Sequence, residues 1–99
     1  MAGFFSRLFG LEDKADFKVL LENGATLLDV RTKEEYKQGA VANSLNIPLD
    51  SLSNNLSKLK KDKPIIAVCA SGMRSRNAVA ILRSKGFQEV YNGGSWFNF

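Results

Sequence analysis

The chain's one cysteine, Cys69, stands directly before Ala70, Ser71, Gly72, Met73, Arg74, Ser75 and Arg76. These residue types at this spacing suit the capture of an anion beside a nucleophilic sulfur. Gly72 tolerates positive φ, so the backbone can curl its N–H groups toward one point. Ser71 and Ser75 add hydroxyl donors, and Arg74 and Arg76 add positive charge. Such surroundings lower a thiol pKa and favour the thiolate, the reactive form. The bland alternative is a small apolar residue at a strand end, a common place for free cysteine. That alternative leaves the glycine, the serines and the arginines without a purpose. Cys69 is therefore read as the nucleophile and residues 70–75 as its anion cradle.

Composition narrows the chemistry further. The 99-residue chain has one Cys and no His, which removes Ser-His, Cys-His and the usual zinc chemistries together. No metal and no cofactor is implied. A single cysteine makes no internal disulfide, which fits a reducing compartment, and a cytoplasmic location is expected. Charge is uneven: residues 1–50 carry six Lys/Arg against eight Asp/Glu, whereas residues 51–99 carry eight against two. The basic half holds the cysteine, and its field attracts small anions. The run Lys58 to Lys63 reads by itself as a solvated basic face. Nucleic-acid binding is not expected, because no aromatics interleave the basic residues and no reading motif is present.

The elements that must position the cysteine follow from periodicity. Asp16–Gly24 reads as a helix with Phe17, Leu20 and Leu21 on one face and Gly24 as a left-handed cap. Ala25–Val30 is a short apolar run, expected to be a buried strand. Thr32 with Glu35 makes a capping box for a short helix closed by Gly39. Ser44–Pro48 is a brief strand. Leu49, Leu52, Leu56 and Leu59 recur at helical spacing, with Asp50 expected as N-cap. Pro64–Cys69 is the most apolar strand and is expected to be central. A helix from Ser75 to Gly86 and a strand Glu89–Asn92 follow, then the tail GGSWFNF. Alternating strands and helices predict a small α/β domain with a mostly parallel central sheet and helices on both faces. Ligands bind such sheets at the carboxyl ends of the strands, where Cys69, Asp29 and Arg31 all fall. Residues 11–99 make the single domain. Residues 1–10, with Phe4, Phe5, Leu8 and Phe9, form a short apolar segment expected to pack on that domain rather than on a membrane.

LLDVRTKEEYKQG, SLNIPL, PIIAVCASGMRS and GFQEVYNGG, in that order, resemble a single-domain rhodanese-like sulfurtransferase from about Asp16 to Trp96. The resemblance implies that Cys69 takes a sulfane sulfur from thiosulfate or a similar donor, becomes a persulfide, and passes the sulfur to cyanide or a thiol. It implies that Ala70, Ser71, Gly72, Met73 and Arg74 wrap the sulfur and that Ser75 begins the following helix. Asp29 and Arg31 match a D-x-R pair that supports the sheet edge and loop, and Gly93 and Gly94 match a backbone turn near the site. Ala40 stands where many members carry His, and a helix common after the Gly-Gly element is missing. Two other readings use the same features. One is an oxyanion enzyme, a phosphatase or arsenate reductase. The other is a carrier module that hands persulfide sulfur to a protein partner. The cradle here is C-x4-R, one residue shorter than the phosphatase-type C-x5-R, and arsenate reduction calls on more thiols than one. Both points favour sulfur transfer.

Overall fold

The computed structural model describes residues 14–99, with side chains described from Phe17 onward. The expected apolar segment over residues 1–10 lies outside the described residues. Four strands form one parallel sheet in the order β2-β1-β3-β4: β1 (Thr26–Asp29), β2 (Leu45–Asn46), β3 (Ile65–Cys69) and β4 (Val90–Ser95). Helices α1 (Lys14–Glu22), α2 (Lys33–Gln38) and α3 (Met73–Ser84) alternate with them. β3 is buried along its whole length, as a central strand flanked on both sides must be.

Each face of the sheet has its own core, because successive strand side chains point to opposite faces. Leu28, Ile65, Ala67 and Cys69 join Ala78, Val79 and Leu82 of α3 on one face. Leu27, Ile66 and Val68 join Phe17 of α1 on the other, with Trp96 and Phe99 from the C-terminal tail packed against them. The tail thus covers this face of the sheet. The capping box at α2 forms as expected: Thr32 Oγ1 accepts from the Glu35 N–H, and the Glu35 side chain accepts from the Thr32 N–H.

The expected helix through Leu49–Leu59 is not there. Two 3₁₀ turns, Leu49–Asn54 and Leu56–Lys58, take its place, and Asp50 is exposed and caps nothing. The reason lies between the leucines. The polar side chain of Asn55 takes a backbone partner there, with Nδ2 donating to the Ser51 carbonyl at 2.7 Å. Leu52 and Leu59 are still buried, so the hydrophobic pattern survived while the helical period did not.

β4 runs three residues past its expected end. Its pairing with β3 slips once, so that Asn92 sits opposite Ala67 while Gly94, not Gly93, sits opposite Val68. Gly93 is the extra residue of this bulge. A Cβ there would lie 2.8 Å from Ile66 Cγ2 and 2.9 Å from Val68 Cγ1, which only glycine avoids.

Candidate active site

Cys69 ends β3, and the chain then turns sharply over the end of the sheet into α3. Gly72 makes that turn with φ 103°, a left-handed conformation that glycine adopts without penalty. The turn aims main-chain donors at the sulfur. The Gly72 N–H donates to Cys69 Sγ at 2.9 Å and the Ser75 N–H does so at 3.4 Å. Ser75, itself fully buried, brings its Oγ to 3.5 Å from the sulfur. Burial pushes the Cys69 thiol up. The Ser75 side chain and the backbone N–H groups of Ser75, Gly72 and Ser71 outweigh burial, so the thiol lies below its ordinary value.

The loop residues divide by position. Ala70, Ser71 and Met73 are exposed on the outside of the turn, with Met73 at the rim. Arg74 is half-buried, and its fork is not free. Nη1 and Nη2 donate to Glu35 Oε1 and Oε2 at 2.6 and 3.0 Å, a bidentate pair between the starts of α2 and α3. This pair and the capping box hold the Glu35 carboxyl down at about 2. Arg76 is exposed, one residue beyond the buried Ser75.

Asp29 and Arg31 are buried together at the end of β1. Arg31 Nη2 and Nε donate to the Asp29 carboxylate at 2.8 and 3.0 Å, and a further Nη2 bond reaches the Gly39 carbonyl at 2.8 Å. Trp96 stacks over the guanidinium with its ring centroid 4.2 Å away. These bonds tie the end of β1 to the end of α2. Among the described residues no cluster of His, Cys, Asp or Glu suits a metal ion, and no helix is long and apolar enough to cross a membrane.

Two residues of the site escaped sequence reasoning. Glu35 reads in the sequence as part of its capping box, and nothing there places α2 beside α3. Asn92 reads as the last residue of a strand. Its carboxamide instead joins Ser75, Gly72 and Gly94. The one available signal was a polar residue directly before the Gly-Gly pair.

The rhodanese-like domain family matches residues 13–98, nearly the whole chain and all of the site just described. This chain belongs to the rhodanese-like family. Among its relatives, thiosulfate sulfurtransferase GlpE of Pseudomonas savastanoi pv. phaseolicola is 33% identical over 75 residues, which span 76% of this chain and 71% of that protein. The uncharacterized protein YqhL of Bacillus subtilis is 37% identical over 68 residues, and the chain spans only 54% of its length. Among solved structures, the human single-domain sulfurtransferase TSTD1 superposes with a TM-score of 0.71 at 27% identity, covering 85% of this chain and 91% of that one. A rhodanese-like domain from Anabaena gives 0.71 at 32% identity, covering 88% and 72%. The rhodanese-like fold and the sulfurtransferase family are thus established together.

Proposed function

We propose that the protein is a thiosulfate sulfurtransferase whose nucleophile is Cys69. The observation that carries this reading is a lone thiol held under a turn whose N–H groups converge on the sulfur. In the reaction, the Cys69 thiolate attacks the outer sulfur of thiosulfate. The bond between the two sulfurs of the donor breaks, its electron pair leaves with sulfite, and a Cys69 persulfide anion forms. Cyanide or a thiolate then attacks the outer sulfur, and the electron pair of the persulfide bond returns to Cys69. The amide cradle stabilises the thiolate before the transfer and the terminal persulfide sulfur after it.

Arg74 is the group suited to the donor's sulfonate, because its planar fork already binds a carboxylate at the mouth of the turn. Asp29 and Arg31 act by supporting the sheet edge. With no second cysteine in the chain to resolve it, the persulfide waits for an external acceptor: cyanide, a small thiol or a protein thiol. Steady-state thiocyanate formation from thiosulfate and cyanide tests the reading: the wild-type chain turns over and Cys69→Ser does not. Turnover by Cys69→Ser refutes it.

A further inference from the structure

Ser75 has one hydroxyl proton and three neighbours that compete for it. Its Oγ lies 2.6 Å from Asn92 Oδ1, 3.1 Å from the Gly72 carbonyl oxygen and 3.5 Å from Cys69 Sγ. The first is a short, strong O–H···O distance. The orientation of the Asn92 amide is fixed by its other partners: Oδ1 accepts from the Gly94 N–H at 2.9 Å, and Nδ2 donates to the Gly72 carbonyl at 3.1 Å. The oxygen, not the nitrogen, must therefore face Ser75. Asn92 reaches this place because it pairs with Ala67, two residues before Cys69 and on the same face of the sheet, and because the bulge follows it at Gly93.

We infer that Asn92 is a positioning residue for Cys69: by competing for the Ser75 hydroxyl proton, it weakens the bond that Ser75 donates to the thiolate and so limits how much of the cysteine is ionised. With its proton on Asn92, the Ser75 oxygen turns a lone pair to the sulfur and accepts the thiol S–H. Ionisation of Cys69 then makes the hydroxyl swing away from a 2.6 Å partner toward the sulfur. The Gly72 and Ser75 N–H groups serve the sulfur in either state. Asn92 thus acts as a brake on a thiol that the backbone activates.

Arg74 of α3 interacts with both Cys69 and Asp29. Asp29, in register beside Val68, is neutralised by Arg31, and Glu35 reaches the loop through Arg74. The inference deepens the proposed role of Cys69 as nucleophile, on which it rests, but titration of the thiol reads it without any sulfur transfer.

The experiment is a pH titration of thiolate absorbance near 240 nm on the full chain. The wild type, Asn92→Ala and Asn92→Asp are each measured with Ser75 present and with Ser75→Ala, and circular dichroism checks folding. Freed onto a charged acceptor, the hydroxyl should lower the midpoint of Asn92→Ala by about one pH unit. Asn92→Asp should raise it, since a carboxylate holds the proton harder and adds negative charge. Replacing Ser75 should abolish the Asn92→Ala shift and shrink that of Asn92→Asp. A merely structural role loosens the turn in both variants and raises both midpoints. An Asn92→Ala midpoint that is unchanged or raised, or a shift that survives the loss of Ser75, overturns the inference. Should Asn92→Ala not fold, the isosteric Asn92→Asp decides alone, and a rise that does not depend on Ser75 overturns it. Midpoints as expected in a chain that transfers no sulfur would refute the proposed function and leave the inference standing.

Discussion

Glu35 occupies the fork of Arg74 that a sulfonate would need, so the donor and the carboxylate compete. The perturbation that exposes this is Glu35→Gln. Gln keeps an acceptor for the Thr32 N–H, so the capping box that starts α2 is retained. What is lost is the negative charge on a pair whose side chains are 35% and 36% exposed. Solvent screens such a pair heavily, and exposed ion pairs are worth ~0.2–1 kcal/mol. The two-pronged geometry puts this one toward the upper end. Releasing Arg74 should therefore lower KM for thiosulfate by up to about fivefold, the equivalent of ~1 kcal/mol. Arg74→Ala should raise KM by roughly tenfold, and Glu35→Gln should then have no further effect in that background. Cyanide discharge of a preformed persulfide should change less in every variant, because the sulfonate has already left as sulfite. Steady-state kinetics with single-turnover discharge reads all of this. A KM for Glu35→Gln that is unchanged or higher in a folded protein would refute competition, and would make Glu35 a brace that holds Arg74 in place.

The same carboxylate predicts an acid response. Its folded pKa is lowered from 4.5 to about 2 by Arg74 and Thr32, so its stabilisation is complete above 4.5 and is lost as pH falls toward 2. Denaturant melts across that window should show a loss of up to ~1 kcal/mol after screening, absent in Glu35→Gln. The Cys69 thiol should alkylate with iodoacetamide with a midpoint below the free-thiol value of about 8.5, and a midpoint at or above that value would contradict the amide cradle. Asp29→Asn leaves the buried Arg31 charge uncompensated and should cost about 3–5 kcal/mol in denaturant unfolding. Gly93→Ala forces a methyl against Ile66 and Val68 and should cost about 1–3 kcal/mol, read as a fall in Tm.

The parts of the fold legible in the sequence were those written in local chemistry. The capping box at Thr32, the left-handed glycine at 24, and the apolar run that makes β3 central each carry their cause within a few residues. The Cys69 turn was legible for the same reason, since Gly72 and the donors around it are contiguous. The leucine run at 49–59 misled because spacing reports which residues are buried, not which helix buries them. Two 3₁₀ turns bury them instead, with the Asn55 side chain bonded to the Ser51 carbonyl. Glu35 and Asn92 were hidden for a different reason. They lie 39 and 17 residues from the partners they hold, and only the sheet order and the bulge at Gly93 bring them to the site. The sequence shows the positive charge of Arg74 but not its partner, because Glu35 belongs to another helix.

The central claim is that Cys69 carries the transferred sulfur. Intact-mass spectrometry after incubation with thiosulfate tests it most directly. One sulfur, a gain of about 32 Da, should appear on the chain, map to Cys69 and disappear on adding cyanide. Cys69→Ser should gain nothing. A wild-type chain that takes up no sulfur, or a Cys69→Ser chain that does, would contradict the account.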